Sequence, residues 1–368
     1  MSQIAKVVVE ISLDREFDYL IPASLQSTIG VGSQVQVPFH GRDLRGFVVG
    51  ITDRSAHEDR LKEIAGVVGE RPLIPDHVMK LAYWIADYYC APIEHAVRTV
   101  LPSAVRRRGA QHKKQLEVSL LNPDGVGSSA LQKKVVELLR ERGPMRLRDL
   151  KAELGCSDSP IRTLDKNEIV AIEPVAQLRD PLAGMELVGT EPFALMDGQQ
   201  EALNTIHKAV AATPRETVLL QGVTGSGKTE VYLQAIQSTL DRGEGAIVLV
   251  PEIALTPQTV ERFRARFGAG VAVLHSGLSD GERHDEWHRI RDGQARIAVG
   301  ARSALFAPIE SLGLIVVDEE HEPTYKQEES PRYHARDAAV MRGRLEGFCP
   351  LRSASATISI TRINGIAR

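Results

Sequence analysis

The run Gly222-Val-Thr224-Gly225-Ser226-Gly227-Lys228-Thr229 has the glycines, lysine and hydroxyl of a phosphate-binding loop. Glycines let the backbone curl until successive N–H groups face one phosphate oxygen, and a helix starting there adds partial positive charge. In the pattern G-x-x-x-x-G-K-[ST], Lys228 reaches the β- and γ-phosphates of ATP and the Thr229 hydroxyl ligates Mg²⁺. A second run, Leu314-Ile-Val-Val-Asp318-Glu319-Glu320-His321, is apolar and then acidic. Asp318 is placed to hold Mg²⁺ through water, and Glu319 to orient or deprotonate an attacking water. Acids at a strand end are common by themselves. Downstream of a glycine loop they predict nucleotide hydrolysis.

Such groups need strands that end beside helices. Thr217–Leu220, Ala246–Val250, Val271–Leu274, Arg296–Val299 and Leu314–Val317 read as buried strands, with amphipathic segments between several of them and a helix over Glu230–Leu240. The alternation predicts a parallel α/β layer, in which ligands collect at the carboxyl ends of strands. Residues 4–50 are built differently. Ile4–Ile11, Gln34–Pro38 and Arg45–Ile51 read as short strands between glycines, and His77–Tyr89 has helical spacing. Arg106-Arg107-Arg108 and Lys113-Lys114 fall in a span, 106–128, that reads as a basic flexible connector. Helices over Ala130–Arg140, Leu147–Leu154 and Asp158–Lys166, then a β-type tail Ile169–Ile172, fit a winged helix; they fit any small three-helix bundle equally. Residues 176–191 read as a linker. The expected organisation is multidomain α/β: a β-rich domain over 1–105, a second domain over 106–175 and a P-loop lobe over 192–368.

Composition agrees with a globular chain: 43% of residues are hydrophobic and 25% charged. A net charge of −3 excludes a purely electrostatic nucleic-acid coat, so any DNA contact has to come from local basic patches. Cys90, Cys156 and Cys349 lie too far apart for a disulfide framework or a zinc site of their own. The N-terminus lacks the features of a signal peptide, and no apolar run approaches the roughly 18 residues of a membrane span. The expected compartment is the cytoplasm.

A further set of runs carries a resemblance. Asp318-Glu-Glu-His321, Leu249-Val-Pro-Glu-Ile-Ala-Leu-Thr-Pro-Gln258, Leu274-His-Ser-Gly-Leu278, Val299-Gly-Ala-Arg302-Ser-Ala-Leu-Phe306 and Ser355-Ala-Thr357 resemble the motifs of superfamily 2 helicases. The stretch from Tyr325 to Asp337, together with Phe17-Asp18-Tyr19, Val35–Phe39 and Ala86-Asp87-Tyr88-Tyr89, extends the likeness over nearly the whole chain. It is similar, more narrowly, to the primosomal replication-restart helicases. That resemblance implies a RecA-like lobe with helices on both sides of its sheet, a winged-helix DNA-binding domain before it, and a 3′-end-binding domain at the front. It implies that Gln199 senses adenine, that Arg302 meets DNA, and that His321, Ser355 and Thr357 couple hydrolysis to movement. A loop with Tyr325, Arg332 and Tyr333 would feel DNA by stacking and cation contacts and relay that to the ATP site.

By the same resemblance Phe17, Asp18, Tyr19, Gly41 and Lys62 line the pocket for the 3′ end of a nascent strand. The chemistry is consistent: a ring stacks on the terminal base, a carboxylate accepts from the 3′-hydroxyl, and a lysine balances phosphate. The implied partners are forked and single-stranded DNA with a 3′ end, single-stranded DNA-binding protein, primosome proteins and a replicative helicase loader. The family's second ATPase lobe and zinc module have no counterpart after LRSASATISITRINGIAR. A missing arginine finger costs about 10³–10⁵ in rate, so the expectation is DNA and ATP binding without unwinding by this chain alone. Two other readings remain at this point: a motor-inactive adaptor that recognises DNA structure, and a restriction- or repair-type translocase lobe.

Overall fold

The structure is a computed structural model, and it describes residues 3–11, 15–55, 60–108, 114–122, 125–176, 189–212, 216–223, 225–354 and 359–363. It divides into two compact units, Met1–Ala110 with Asp180–Arg368, and Gln111–Arg179.

The first unit begins with strands β1 (Ile4–Val9), β2 (Phe17–Leu20), β3 (Gln34–Phe39), β4 (Arg42–Thr52), β5 (Lys62–Glu63) and β6 (Gly66–Val68), in the order β5-β2-β1-β4-β3-β6. One stretch, residues 62–68, pairs with both outer strands: Lys62 with Tyr19 on β2, and Val68 with Gln34 on β3. The sheet therefore closes on itself as a small barrel, which leaves few free edges. Helices α1 (Asp76–Tyr88), α2 (Ile93–Val100) and α3 (Ser103–Arg108) follow.

Strand β1 is buried on both faces, and that explains its near-continuous run of valines. Ala5, Val7 and Val9 fill the barrel, whereas Val8 joins a second core. That core also takes Phe47, Leu81, Ile85 and Val97 together with Leu249, Trp287, Phe306 and Val317 of the later lobe. The β-rich region and the P-loop lobe thus share one hydrophobic core, where the sequence suggested separate domains.

The connector expected over 106–128 is corrected. Arg106–Arg108 end helix α3, whose first turn has Val105 and Arg106 donating to the Pro102 carbonyl, each at 3.0 Å. Gln34 Nε2 donates to the Arg106 carbonyl at 2.9 Å, Arg45 donates to that of Arg107 at 2.8 Å, and Arg106 pairs with Glu10 at 3.5 Å. Three consecutive arginines read as a solvated hinge only until these contacts are counted.

The second unit contains β7 (Lys114–Leu120), α4 (Ala130–Arg142), β8 (Met145–Arg146), α5 (Leu147–Leu154), α6 (Asp158–Lys166) and β9 (Val170–Ala176). Ser129 and Gln132 cap α4 reciprocally, and Gly155 ends α5 in the left-handed region. An antiparallel sheet β8-β7-β9 covers the helices over Val118, Val136, Leu150, Ile161 and Leu164, so this is a winged-helix arrangement and not a bare bundle. Strand β7 also lies in the span read as connector. Its alternation of Leu116, Val118 and Leu120 was masked by the preceding lysines.

The lobe runs α7 (Asp197–Ala211), β10 (Thr217–Gln221), α8 (Lys228–Asp241), β11 (Gly245–Leu249), α9 (Pro257–Phe267), β12 (Val271–Leu274), α10 (Asp280–Arg291), β13 (Ile297–Gly300), β14 (Leu312–Val317), α11 (Ala335–Glu346), β15 (Cys349–Ala354) and β16 (Ser359–Ile363). Strand order is β12-β13-β11-β14-β15-β10-β16, parallel except for β16 against β10. Strands β11 to β14 are buried along their whole length, as parallel strands covered on both faces must be. On β11, Ala246 and Val248 pack with Val231 and Phe263 of α8 and α9. Ile247 and Leu249 point the other way, into the core shared with α1, α2, α10 and α11. Among the described residues no helix is long and apolar enough to cross a membrane.

Candidate nucleotide site and strand-end groove

The glycine loop leaves β10 and ends at the first turn of α8, which places backbone N–H groups and the helix N-terminus together. Gly225 and Gly227 have φ of +82° and +80°, a region that glycine enters without penalty. At Gly227 a side chain would also displace the Gln199 amide, because a Cβ would stand 2.2 Å from its Nε2. Gln199 braces the loop by donating to the Ser226 carbonyl at 2.9 Å, while its Oε1 accepts from Met196 N–H at 2.9 Å. The Lys228 ammonium is folded onto the loop and donates to the carbonyls of Gly222 and, at 3.3 Å, Val223.

Asp318 follows the last residue of β14 and is fixed by its own N–H donating to Leu249 at 2.9 Å. Its Oδ1 accepts from the Glu319 N–H at 3.1 Å. Glu319 itself has φ of +46°, a left-handed turn that carries the chain off the strand end. His321 is exposed and lies 3.7 Å from the Glu319 carboxylate. Lys228, Thr229, Asp318, Glu319 and the loop residues Gly225 to Gly227 line one cleft of about 760 Å³. Thr229 and Asp318 offer a hydroxyl and a carboxylate, the hard oxygen donors that suit Mg²⁺ held largely by one carboxylate and a nucleotide's phosphates. Among the described residues no cluster of His, Cys, Asp and Glu would hold a metal by itself.

Sequence reasoning missed residues in this cleft and buried behind it. Tyr232, one helical turn after Thr229, has its hydroxyl 3.3 Å from Thr229 Oγ1 and 3.4 Å from Asp318 Oδ2. Burial and the Asp318 carboxylate push its phenol well above the usual range, so it stays protonated. The helical i, i+3 spacing was the available signal. Phe193, 70% exposed, lines the same cleft. Its backbone is pinned by Glu230, which accepts from Phe193 N–H at 3.2 Å and from the buried Arg266 at 2.8 Å.

Beside the cleft, the ends of β11, β12 and β13 open on a groove of about 280 Å³ that includes Glu252, His275, Arg302 and Tyr325. The Arg302 guanidinium donates to the Lys326 carbonyl at 2.6 Å and to that of Thr324 at 3.4 Å. Arg332 is exposed, its Nε donating to the Glu328 carbonyl at 3.0 Å. Tyr325 and Tyr333, expected to stack on DNA, are 0% and 1% exposed, and that expectation is corrected. Tyr325 is a structural tie: its hydroxyl donates to the carbonyls of Asp318 at 2.7 Å and Leu249 at 3.0 Å. Tyr333 packs against Phe306 with ring centres 5.4 Å apart. An ion pair between Glu320 and Arg352 links the acidic turn to β15. Thr224, Ser355 and Thr357 lie outside the described residues.

In the barrel, strand alternation separates the expected pocket residues. Tyr19 is 4% exposed with its ring among the barrel core, and its hydroxyl donates to Pro38 at 3.4 Å, so it is core and does not line a pocket. Phe17 is half-buried, edge-on to Phe39 at 5.1 Å, with the Arg15 guanidinium 4.8 Å above it. Asp18 falls on the opposite face and accepts from the Ser55 hydroxyl at 2.6 Å. Lys62 is exposed. His40 and Gly41, with φ of +46° and +79°, form the two-residue turn between paired Phe39 and Arg42. Gly41 is there for the hairpin.

Residues 6–102 match the family model for the 3′ DNA-binding domain, and residues 196–364 match that for the DEAD/DEAH box helicase. The replication restart protein PriA of Bacillus subtilis is 34% identical over 96% of this chain and 53% of its own length. That of Chlamydia pneumoniae is 38% identical over 93% and 47%, and that of Haemophilus influenzae 34% identical over 99% and 50%. Among solved structures, RecG bound to a three-way DNA junction aligns with a TM-score of 0.35 and 24% identity over 45% of this chain and 21% of that one. The chain spans about half the length of the curated relatives it matches. With both family models in chain order and relatives of one name along nearly all of it, the chain is homologous over nearly its whole length to the PriA replication restart proteins.

Proposed function

We propose that this chain is the ATP-binding, DNA-recognising part of a replication-restart helicase that acts on forked DNA. The observation that carries the reading is the convergence of Lys228, Thr229, Asp318 and Glu319 on one cleft at the ends of parallel strands. There Lys228 would turn from the loop carbonyls to the β- and γ-phosphates, and Glu319 would orient the attacking water. Thr229 and Asp318 would hold Mg²⁺, which when bound neutralises charge on the transferring phosphoryl group. The groove beside the cleft would take a DNA strand, with Arg302 and Arg332 nearest to phosphates. Tyr325, tied to the Asp318 carbonyl beneath that groove, gives strand binding a short mechanical route to the acidic turn.

Asp18 and Lys62 in the barrel would read a 3′-terminal nucleotide, and the winged-helix unit would hold duplex DNA. Single-stranded DNA-binding protein, primosome proteins and a helicase loader are the partners this reading assigns, in the cytoplasm. A motor-inactive adaptor is disfavoured because it has no need for the intact lysine, threonine and acid pair. The test is Mg²⁺-dependent ATP binding and DNA-stimulated hydrolysis by the purified chain with and without Lys228→Ala. Losing a charge-assisted contact to phosphate should weaken ATP binding by about 10- to 100-fold. Equal binding by the two proteins would remove the nucleotide site from Lys228.

A further inference from the structure

We propose that Tyr232 is a positioning residue for the divalent cation that accompanies the nucleotide, holding the Thr229 hydroxyl and the Asp318 carboxylate in fixed relation. The inference rests on the reading above and deepens it.

Tyr232 is 3% exposed, on the first turns of α8, with its ring stacked 6.3 Å from Phe263 at an interplanar angle of 11°. Phenylalanine would fill that space equally well. A buried hydroxyl is costly without a partner, so its presence asks for a polar reason. The polar atoms it meets are Thr229 Oγ1 at 3.3 Å and Asp318 Oδ2 at 3.4 Å. These belong to the two side chains that the loop and the acidic strand end bring forward from opposite sides of the cleft.

The directions of donation are constrained. Asp318 is a carboxylate and only accepts, so Tyr232 donates to its Oδ2, and Thr229 then donates to the tyrosine oxygen. With its proton committed to Tyr232, the Thr229 oxygen keeps its lone pairs for a cation. Asp318 is held at both oxygens, by Tyr232 on Oδ2 and by the Glu319 N–H on Oδ1. Partners one step behind a metal ligand fix its orientation, and removing them typically costs about 10- to 100-fold in metal affinity.

The experiment compares the affinity of the intact chain for a fluorescent ADP analogue in excess Mg²⁺ and in EDTA. Wild type should bind more tightly with Mg²⁺. Tyr232→Phe should reduce that Mg²⁺-to-EDTA ratio by about 10-fold while leaving binding in EDTA unchanged. Phe263→Leu disturbs the same ring stack without touching the hydroxyl, and it should keep the wild-type ratio even if it melts earlier. An unchanged ratio in Tyr232→Phe would overturn the proposal, as would an equal loss in both variants, which would mean packing alone is at work. If wild type bound the analogue no better with Mg²⁺ than without, the reading of the cleft would fail and take this inference with it.

Discussion

The nucleotide cleft and the barrel were both expected to gather named residues; the cleft brings Gly225 to Thr229, Asp318 and Glu319 together, whereas the barrel separates its own. In the cleft the gathering is done by backbone. The loop closes because Gly225 and Gly227 adopt positive φ, and Asp318 arrives because β14 ends there. Side-chain identity adds chemistry to a frame that is already set. In the barrel, Phe17, Asp18 and Tyr19 are consecutive on one strand, and successive side chains on a strand face opposite sides. They cannot all line one pocket. Closure of the barrel by residues 62–68 then puts Tyr19 inside and leaves Asp18 outside.

The largest effect that tests this difference is Tyr19→Ala. If Tyr19 is core, its loss should cost about 3–5 kcal/mol of stability, as for a buried phenylalanine. Because the barrel and the lobe share packing through Val8, Phe47 and Val97, the lobe should lose stability as well. Chemical unfolding followed by tryptophan fluorescence of Trp84 and Trp287, one in each region, measures it. A mild loss confined to the Trp84 signal would mean that the ring is peripheral and the two regions melt independently.

A smaller effect separates two glycines of similar φ. Gly227→Ala forces a Cβ to within 2.2 Å of Gln199 Nε2 as well as into the left-handed region, whereas nothing lies within 4 Å of a Cβ at Gly41. Each left-handed alanine should cost about 1–3 kcal/mol. At Gly227 the displaced loop should also lower ATP affinity by about 10-fold or more, since 1.4 kcal/mol is a factor of ten. At Gly41 only the hairpin weakens. Calorimetric ATP titrations beside thermal melts of both variants give the contrast, and equal ATP affinity in the two would refute a backbone-built site.

What the sequence made legible follows the same division. The P-loop, the acidic turn and the parallel lobe were readable because their signals are local: glycine spacing, a strand that ends in acids, runs of buried valine and isoleucine. Strands β10 to β14 lie within a residue or two of where the pattern put them. The roles of Tyr325 and Tyr333 were not readable. An aromatic among charges looks exposed, and only the close approach of β11 and β14 shows that Tyr325 bonds to both strand ends. Arg106–Arg108 failed for the same reason, since the groups that receive α3, Gln34, Arg45 and Glu10, are distant in the chain. Tyr232 had a readable helical offset from Thr229, but nothing in one dimension says that Asp318 completes the trio.

The smallest predicted effect is the most specific. Asp18 sits on the outer face of β2, bonded at 2.6 Å to Ser55, so Asp18→Ala should change stability by within about 0.5 kcal/mol, as surface substitutions do. If that carboxylate receives a 3′-hydroxyl, its removal costs one charge-assisted hydrogen bond, about 1.5–3 kcal/mol at most and less where water competes. The wild-type chain should therefore prefer a fork with a free 3′-hydroxyl over one with a 3′-phosphate by several-fold, and the variant should bind the two alike. Competition binding with matched forks reads the ratio directly. Lys62→Ala supplies the internal check, because an exposed ammonium facing phosphate has no stake in the hydroxyl: it should weaken both forks together and leave the preference intact. Retention of the preference in Asp18→Ala would move 3′-end recognition away from the outer face of β2, and the alternation that separates Asp18 from Tyr19 would then have no bearing on DNA.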